Sequence, residues 1–323
     1  MIKRVLKKVV YSILEATSGI RALDSVYLKF MYYKLTKKKL NLRSPKTLNE
    51  KLQYIKLYDR NPVYTMITDK ALVKEYIANK GLTNIVIPSV FTLGSHDVVD
   101  IKLIDDSDFP LIVKSNHDSS GGLIIKNKHQ ALSNVKGISE PKISLNDFDS
   151  VVEYNNKYIN LFLRERFKCN HYLLTKEWQY KNIVKKSLAE KLLQDRNGNI
   201  PNDLKFHCFK GKVEFIYVSA DRENLNYRKI YYPDWTLAPF TWTKLGNEKV
   251  FEGPEVEKPN RLDDMIAIAE KLSEDFEYIR VDLYLCDDEI FFGEFTMQHS
   301  SGFDMIIPEK FDEFYGNKLK INL

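Results

Sequence analysis

The stretch YIRVDLYLCDDEIFFGEF, residues 278–295, decides how the rest of the chain is read. Two runs rich in β-branched and aromatic residues flank Asp287 and Asp288, the composition of a β-hairpin that turns at the paired aspartates. Strand side chains alternate between faces, so Arg280, Asp282 and Tyr284 share one face and Val281, Leu283 and Leu285 the other. A hairpin centred near Asp288 sets Asp282 opposite Glu294 and Arg280 opposite Thr296, and it puts Phe292, Glu294 and Thr296 on the face of Asp282. Opposed carboxylates repel unless a cation or a shared proton intervenes. Two hard oxygen donors suit Mg²⁺, which takes one or two protein carboxylates and completes its shell with water and phosphate. The same letters also allow Arg280 simply to pair with both acids, or a slipped register that leaves one acid in solvent.

A metal held this way needs a phosphate partner, and IVKSNHDSSGGLIIK, residues 112–126, offers one. A strand ending at Lys114 enters the loop SNHDSSGG and leaves as a second strand. Gly121 and Gly122 permit tight turns and close approach, Ser119 and Ser120 add hydroxyl donors, and Lys114 adds a fixed positive charge. The loop is neither GxxxxGK[ST] nor GxGxxG. A plain Gly-Gly turn with solvated serines explains the same residues, and it is the distant Asp and Glu strand pair that favours a nucleotide.

The 323 residues are 44% hydrophobic, enough for one large or two closely joined domains without disulfide staples. Cys169, Cys208 and Cys286 are far apart and lack CxxC spacing, which signals neither a disulfide framework nor a thiolate zinc site and fits a reducing cytoplasm. Neither a signal peptide nor a spanning helix is expected, because Lys7, Lys8 and Glu15 break the N-terminal apolar run. The net charge of +5 hides an asymmetry: residues 1–60 hold fifteen Lys or Arg against four acids. Ile2, Val5, Leu6, Val9, Ile13 and Leu14 recur at helical spacing beside Lys3, Lys7 and Lys8, and the aromatic and basic theme continues through residues 27–34. An amphipathic helix on an anionic membrane surface fits this pattern, as does a helix packed on its own body with a solvated lysine face. No nucleic-acid partner is expected, since no DNA- or RNA-binding motif accompanies the charge.

The coarse order is mixed α and β with antiparallel hairpins. Residues 1–40 form a basic helical segment, 41–110 a helical and α/β region, 111–193 a lid subdomain with the glycine loop and a hinge, and 194–323 a C-terminal subdomain with the acidic strands. Thr47 or Asn49 caps a helix carrying Leu48, Leu52, Ile55 and Tyr58 on one stripe; Gly81 closes the next helix. Pro88 marks an edge strand, Lys210 and Gly211 turn a hairpin, and residues 261–276 form the clearest late helix. Tyr231, Tyr232, Trp235, Phe240 and Trp242 read as core and lid packing or as sugar-stacking rings.

Six blocks in order, SPKTLNEKLQYIKLYDRNPVYTMITDKALVKEY, FPLIVKSNHDSSGG, KEWQYKNI, LAEKLL, DLKFHCFKGKVEFI and RVDLYLCDDEIFFGEFTMQHSSGF, resemble the TupA-like branch of the ATP-grasp proteins, associated with teichuronopeptide and other bacterial surface-polysaccharide gene clusters. The resemblance implies an ATP-grasp fold of two α/β subdomains around ATP, with Mg²⁺. It implies activation of a carboxylate as an acyl phosphate, attack by an amine, and release of ADP and phosphate. It places Lys70 and Lys114 at the nucleotide phosphates, residues 115–122 as a lid, and Glu190 with Lys191, Leu192 and Leu193 at adenine and ribose. Lys205 stands at a further phosphate-side position, Arg280 beside the transferred phosphoryl group, and Asp282 and Glu294 as metal ligands.

Many ATP-grasp enzymes carry Asn two residues after the second acid, whereas this chain has Thr296, a poorer cation ligand. Arg222, Arg228, His117, His299 and Ser301 are candidates for substrate contact. Both arginines equally suit salt bridges at strand ends, and either histidine suits a structural role. The expected partners are a carboxylate-bearing sugar or glycan and an amine-bearing acceptor. The expected enzyme is a cytoplasmic ligase, free or peripheral to the inner membrane face; a non-catalytic nucleotide-binding scaffold and an envelope glycosyl- or phosphotransferase are the competing functions.

Overall fold

The computed structural model describes residues 11–119, 121–132, 147–221 and 223–321. Residues 11–17 form helix α1, and α2 (Arg21–Thr36) follows it. Of the N-terminal apolar positions, Ile2, Val5, Leu6 and Val9 lie outside the described residues; Ile13 is exposed and Leu14 buried. Helix α3 (Leu48–Tyr58) starts in a capping box. The Thr47 hydroxyl accepts from the Glu50 N–H and the Glu50 carboxylate accepts from the Thr47 N–H, both at 3.2 Å. Two N–H groups that a helix start leaves open are thereby satisfied. Helices α4 (Val63–Thr68) and α5 (Val73–Asn79) lead to the first strand.

Four antiparallel strands, β1 (Ser89–Gly94), β2 (Leu111–Ser115), β3 (Leu123–Ile125) and β4 (Lys186–Lys191), assemble in the order β1-β4-β2-β3. Strand β1, beside Pro88, is at the edge. Helix α6 (Phe148–Phe167), capped by Asp147 through the Ser150 N–H at 2.9 Å, covers one face. The period of two in β2 then divides its side chains. Leu111 and Val113 join Ile125, Ala189, Val152, Ile159 and Leu163 in a core, whereas Ile112 and Lys114 turn the other way.

The second sheet has the order β10-β9-β5-β6-β7, with β5 (Asp203–Phe209), β6 (Lys212–Ala220), β7 (Tyr227–Tyr231), β9 (Tyr278–Cys286) and β10 (Glu289–Thr296), all antiparallel. Lys210 and Gly211 turn β5 into β6 with positive φ at both residues, the twist-matched two-residue hairpin. One face packs Leu204, Phe206, Ile216, Val281 and Leu283 against α5 and α8 (Leu262–Ser273). The other packs Phe209, Phe215, Tyr217 and Tyr278 against α3, α9 (Glu309–Lys318) and the two-stranded ribbon of β8 (Thr241–Thr243) and β11 (Met305–Ile307). Trp242, Tyr231 and Phe240 are buried and Trp235 stacks on Tyr231, so this run packs the protein.

The segment 41–110 is divided between the two layers: α3 and α5 pack on the second sheet, while β1 belongs to the first. Helix α7 (His171–Thr175) connects α6 to β4.

The β9–β10 hairpin differs from strict alternation. Asp287 and Asp288, at φ 47° and 67°, form a two-residue turn that pairs Cys286 with Glu289 and Phe292 with Leu283. Beyond Phe292 the register shifts, and Phe295 pairs with Val281 and Thr296 with Arg280. Gly293 and Glu294 together oppose Asp282, which is a β-bulge. Phe292 therefore does not share the face of Asp282. Ile290 and Phe292 enter the same core as Phe295 and Met297, and only after the bulge do Glu294 and Thr296 share the face of Asp282.

Candidate active site

The two sheets face each other across a cleft of about 360 Å³, within the usual range of ligand pockets. Lys114 and Glu190 line it from the first sheet, Lys205, Asp203, Asp282 and Glu294 from the second, and Lys70 and Lys74 from the α4–α5 region. A cavity of about 480 Å³ lies among Tyr54, Tyr58, Tyr64 and Tyr278, but it gathers none of these lysines. Chemistry, not size, marks the smaller one.

Glu190 accepts from Lys114 and Lys74, each at 2.7 Å. Burial opposes its ionisation, yet the two ammonium groups outweigh burial and hold its carboxyl below the ordinary glutamate range. Lys70 takes a different partner: its ammonium donates to the Asp118 carbonyl, and its backbone N–H donates to Asn116. Burial pulls the Lys70 ammonium below its ordinary value, while Glu294 and Asp118 pull it back.

On the second sheet, direct cross-strand pairs build the acidic side. Lys205 stands opposite Asp282, and His207 opposite Arg280. The Arg280 guanidinium grips Asp282 with two bonds of 2.6 Å and reaches Glu294 at 3.1 Å; Lys205 donates to Asp282 at 3.0 Å and also pairs with Asp203. Burial works against the Asp282 charge, but Arg280 and Lys205 hold its carboxyl below the usual aspartate range. Arg280, opposed by burial, is held more firmly protonated by Asp282 and Glu294. Thr296 donates to Glu294 at 3.3 Å. Behind them His299 meets Arg280 at 3.1 Å through Nδ1; burial first, then the Arg280 charge, keep this imidazole neutral and hence an acceptor.

Eight of the residues selected from sequence line this one cleft: Lys70, Lys114, Ser119, Gly121, Glu190, Lys205, Asp282 and Glu294. Arg280 reaches it through Asp282 and Glu294, Thr296 through Glu294, and His299 only through Arg280. Others do not line it. Gly122 lies beneath the hairpin, where a Cβ would come within 2.7 Å of the Val113 carbonyl. His117 is buried against Phe167 and the Cys169 carbonyl, and Asp118 is pinned by Arg166 at 2.7 Å, so the first half of the loop is interior packing. Lys191 turns out to Asp108 and the Leu192 N–H is spent on Pro110; neither these two nor Leu193 lines the cleft. Arg228 bonds Asn226 and Tyr227, and Ser301 bonds Glu177. Ser120 and Arg222 lie outside the described residues.

Lys74 and Asp203 are additions to the sequence-selected set. Asp203 carried a signal in its spacing, since it precedes Lys205 by two, the interval that shares a strand face; Lys74 carried none, because Lys70 lies in the turn before α5 and the two lysines share no helix.

The model of the TupA-like ATP-grasp proteins matches residues 50–320. The chain belongs to the TupA-like ATP-grasp family. Its two α/β subdomains, with antiparallel sheets flanking a cleft, are the ATP-grasp fold. No curated protein matches the sequence. Among solved structures, a D-alanine–D-alanine ligase from Helicobacter pylori is 15% identical, with 85% of this chain and 69% of that chain covered and a TM-score of 0.43. The ATP complex of the corresponding ligase from Bacillus anthracis is 14% identical over 72% of this chain and 54% of that one, with a TM-score of 0.38. An L-amino acid ligase from Bacillus licheniformis is 13% identical over 73% and 44%, also at 0.38. The chain thus spans only 54% of the B. anthracis ligase and 44% of the B. licheniformis one.

Among the described residues no helix is long and apolar enough to cross a membrane, and no group of three or more His, Cys, Asp or Glu is placed to hold a metal ion. The donor set of the TupA-like chain nonetheless fits Mg²⁺ in one specific way. Two neighbouring carboxylates, one of them on a 40% exposed Glu294 side chain, suit an ion that draws its remaining ligands from phosphate and water.

Proposed function

We propose that the protein is an ATP-dependent, ADP-forming ligase that joins a carboxylate to an amine through an acyl phosphate. Its substrates in this reading are a carboxylate-bearing sugar or glycan and an amine-bearing acceptor, in bacterial surface-polysaccharide synthesis of the capsule, O-antigen or teichuronopeptide kind. One observation carries the proposal: Lys70, Lys114 and Lys205 converge with Arg280, Asp282 and Glu294 on a single cleft between two sheets.

In this reading Lys70, Lys114 and Lys205 hold the triphosphate of ATP, and Ser119 and Gly121 cover it. Asp282 and Glu294 hold Mg²⁺, which offsets phosphate charge when bound. A carboxylate oxygen of the substrate bonds to the terminal phosphorus as the bond to ADP breaks. The protein contributes position and positive charge rather than a nucleophile. Arg280, held in plane by Asp282 and His299, directs its charge at the transferring group. The amine then attacks the acyl carbon, phosphate leaves, and the amine gives up a proton. Water must be excluded between the two steps, since it would consume the acyl phosphate.

Incubation with Mg-ATP, a panel of uronic acids and a panel of amines tests this, with ADP, phosphate and the mass of a new amide as readouts. ADP release that requires both substrates supports the ligase. A second reading, a nucleotide-binding scaffold without turnover, is favoured by the closure of Arg280 on both carboxylates. Tight ATP binding with no ADP under any pairing would select it, and sugar transfer from a nucleotide donor would select a transferase.

A further inference from the structure

Helix α2 packs on the body of the protein along a ridge of buried residues, with Tyr27 and Met31 partly buried beside it. Asp24, Leu28, Tyr32 and Thr36, spaced by four, are its buried residues. A helix packed in this way ordinarily turns polar side chains outward. Instead, Leu23, Val26, Phe30 and Tyr33 are exposed by 43%, 64%, 61% and 56%. Their spacing of i, i+3, i+7 and i+10 makes one continuous stripe on the side opposite the ridge. Single exposed apolar residues are ordinary, but a row of four on one helix face marks a contact surface.

The charge around the stripe has one sign. Lys29 and Lys34 flank it and Lys37 and Lys39 extend it at the C-terminal end, all exposed. The helix's one acidic residue, Asp24, is buried against Lys176 at 2.8 Å and adds nothing to the outer face. From residue 11 to residue 46 there are eight Lys or Arg against two acids. The same Asp24–Lys176 pair, with the Tyr27 hydroxyl donating to the Leu174 carbonyl at 2.8 Å, fixes the helix to the body.

We propose that this face of α2 docks on an anionic lipid surface, with Val26 and Phe30 entering the boundary between headgroups and acyl chains and Lys29, Lys34, Lys37 and Lys39 meeting lipid phosphates. An apolar stripe edged by lysines is the pattern of helices that lie in a membrane interface. A second copy of the chain fits less well, because a self-complementary contact would set these lysines against their equivalents. Nucleic acid fits less well again, since a phosphate backbone gains nothing from Leu23, Val26 and Phe30 at the centre of the patch.

The test uses the full chain and sedimentation with phosphatidylcholine vesicles, with and without 30% phosphatidylglycerol. Binding is expected only with the anionic lipid, falling at least fivefold between about 0.1 and 0.5 M salt as charge is screened. The double variant Val26→Glu/Phe30→Glu should lower the partition coefficient at least tenfold with an unchanged thermal midpoint. If it folds poorly, Lys29→Gln/Lys34→Gln/Lys37→Gln is read instead and should show a similar loss and a flatter salt dependence. Equal partition of variant and parent, or equal binding to neutral vesicles, overturns the proposal. So does a solution dimer that the double variant splits while the parent ignores vesicles.

Discussion

Asp282 and Glu294 are both candidate metal ligands, yet their surroundings demand different responses to the same chemical change. Asp282 is 2% exposed and accepts two bonds from Arg280 and one from Lys205. Asp282→Asn keeps the shape but removes the charge, and turns an amide N–H₂ toward a guanidinium or ammonium donor. Removing one partner from a buried ion pair costs roughly 3–5 kcal/mol. Glu294 remains 3.1 Å from Arg280, and Asp203 still pairs with Lys205, so the low end, about 3 kcal/mol, is expected. At about 2 °C per kcal/mol for a chain of this size, the thermal midpoint falls by roughly 6 °C.

Glu294 has a 40% exposed side chain and a single 3.1 Å bond to Arg280. Glu294→Gln should cost at most about 1 kcal/mol, or roughly 2 °C. Both variants should reduce Mg-dependent ADP release by about 100-fold or more, because each removes a charge that the proposed metal needs. Differential scanning fluorimetry of the ligand-free protein, beside an ADP-release assay titrated with Mg²⁺, separates the effects. Glu294→Gln with more than a tenth of parental turnover would refute the metal assignment. Asp282→Asn as stable as the parent would refute the reading of Asp282 as the keystone of a buried charge network.

Three further outcomes are expected. Gly122→Ala should destabilise by about 1–3 kcal/mol through overpacking against the Val113 carbonyl and Ile112, whereas Gly121→Ala, in open space at φ +74°, should cost about 1 kcal/mol, and urea midpoints will rank them. Thr47→Ala removes the α3 cap and should cost about 1 kcal/mol; an unchanged urea midpoint would show that the capping box adds no stability. Glu190 has a folded-state pKa below its unfolded value, so its contribution is present above the unfolded pKa of about 4.3 and is lost as pH falls through the folded value. Glu190→Gln should flatten that acid limb, and identical limbs in parent and variant would show that Lys114 and Lys74 do not stabilise the carboxylate.

Much of the fold could be read from local signals because β2 alternates cleanly and the hairpins turn at residues that tolerate positive φ. Lys210-Gly211 and Asp287-Asp288 are such turns, and β2 separates Val113 from Lys114 by period alone. The site was legible where a charged residue sits on a strand whose neighbours fix its direction, as with Lys114, Lys205 and Asp282. It was not legible in loops, where polarity and burial part company. Asn116, His117 and Asp118 look solvated in sequence but are interior, because the Asn116 amide bonds Asp69 and the Val184 carbonyl and Asp118 bonds Arg166. The hinge positions Lys191 to Leu193 run from the last residue of β4 into the loop after it, and nothing in their sequence reveals that the Pro88 and Pro110 carbonyls take up the N–H groups of Lys191 and Leu192.

The bulge at Gly293–Glu294 is the feature that period-two reasoning misses, and it determines how the second carboxylate is aimed. Core residues on β10 have even numbers up to Phe292 and odd numbers from Phe295, so one extra residue has been absorbed between them. Gly293 suits that place: a Cβ there would lie 2.8 Å from Tyr284 Cε2 and 3.2 Å from the Asp282 carbonyl. Deleting Gly293 leaves Phe292 and Phe295 separated by one residue, so both still face the core, and Glu294 enters a regular ladder directly opposite Asp282. The deletion protein should therefore fold, with a urea midpoint close to the parent's, while losing Mg-dependent ADP release because the bulge no longer re-aims the Glu294 carboxylate. Failure to fold would refute the parity argument for the core. Parental turnover in a folded deletion protein would show that a regular hairpin aims the acid equally well.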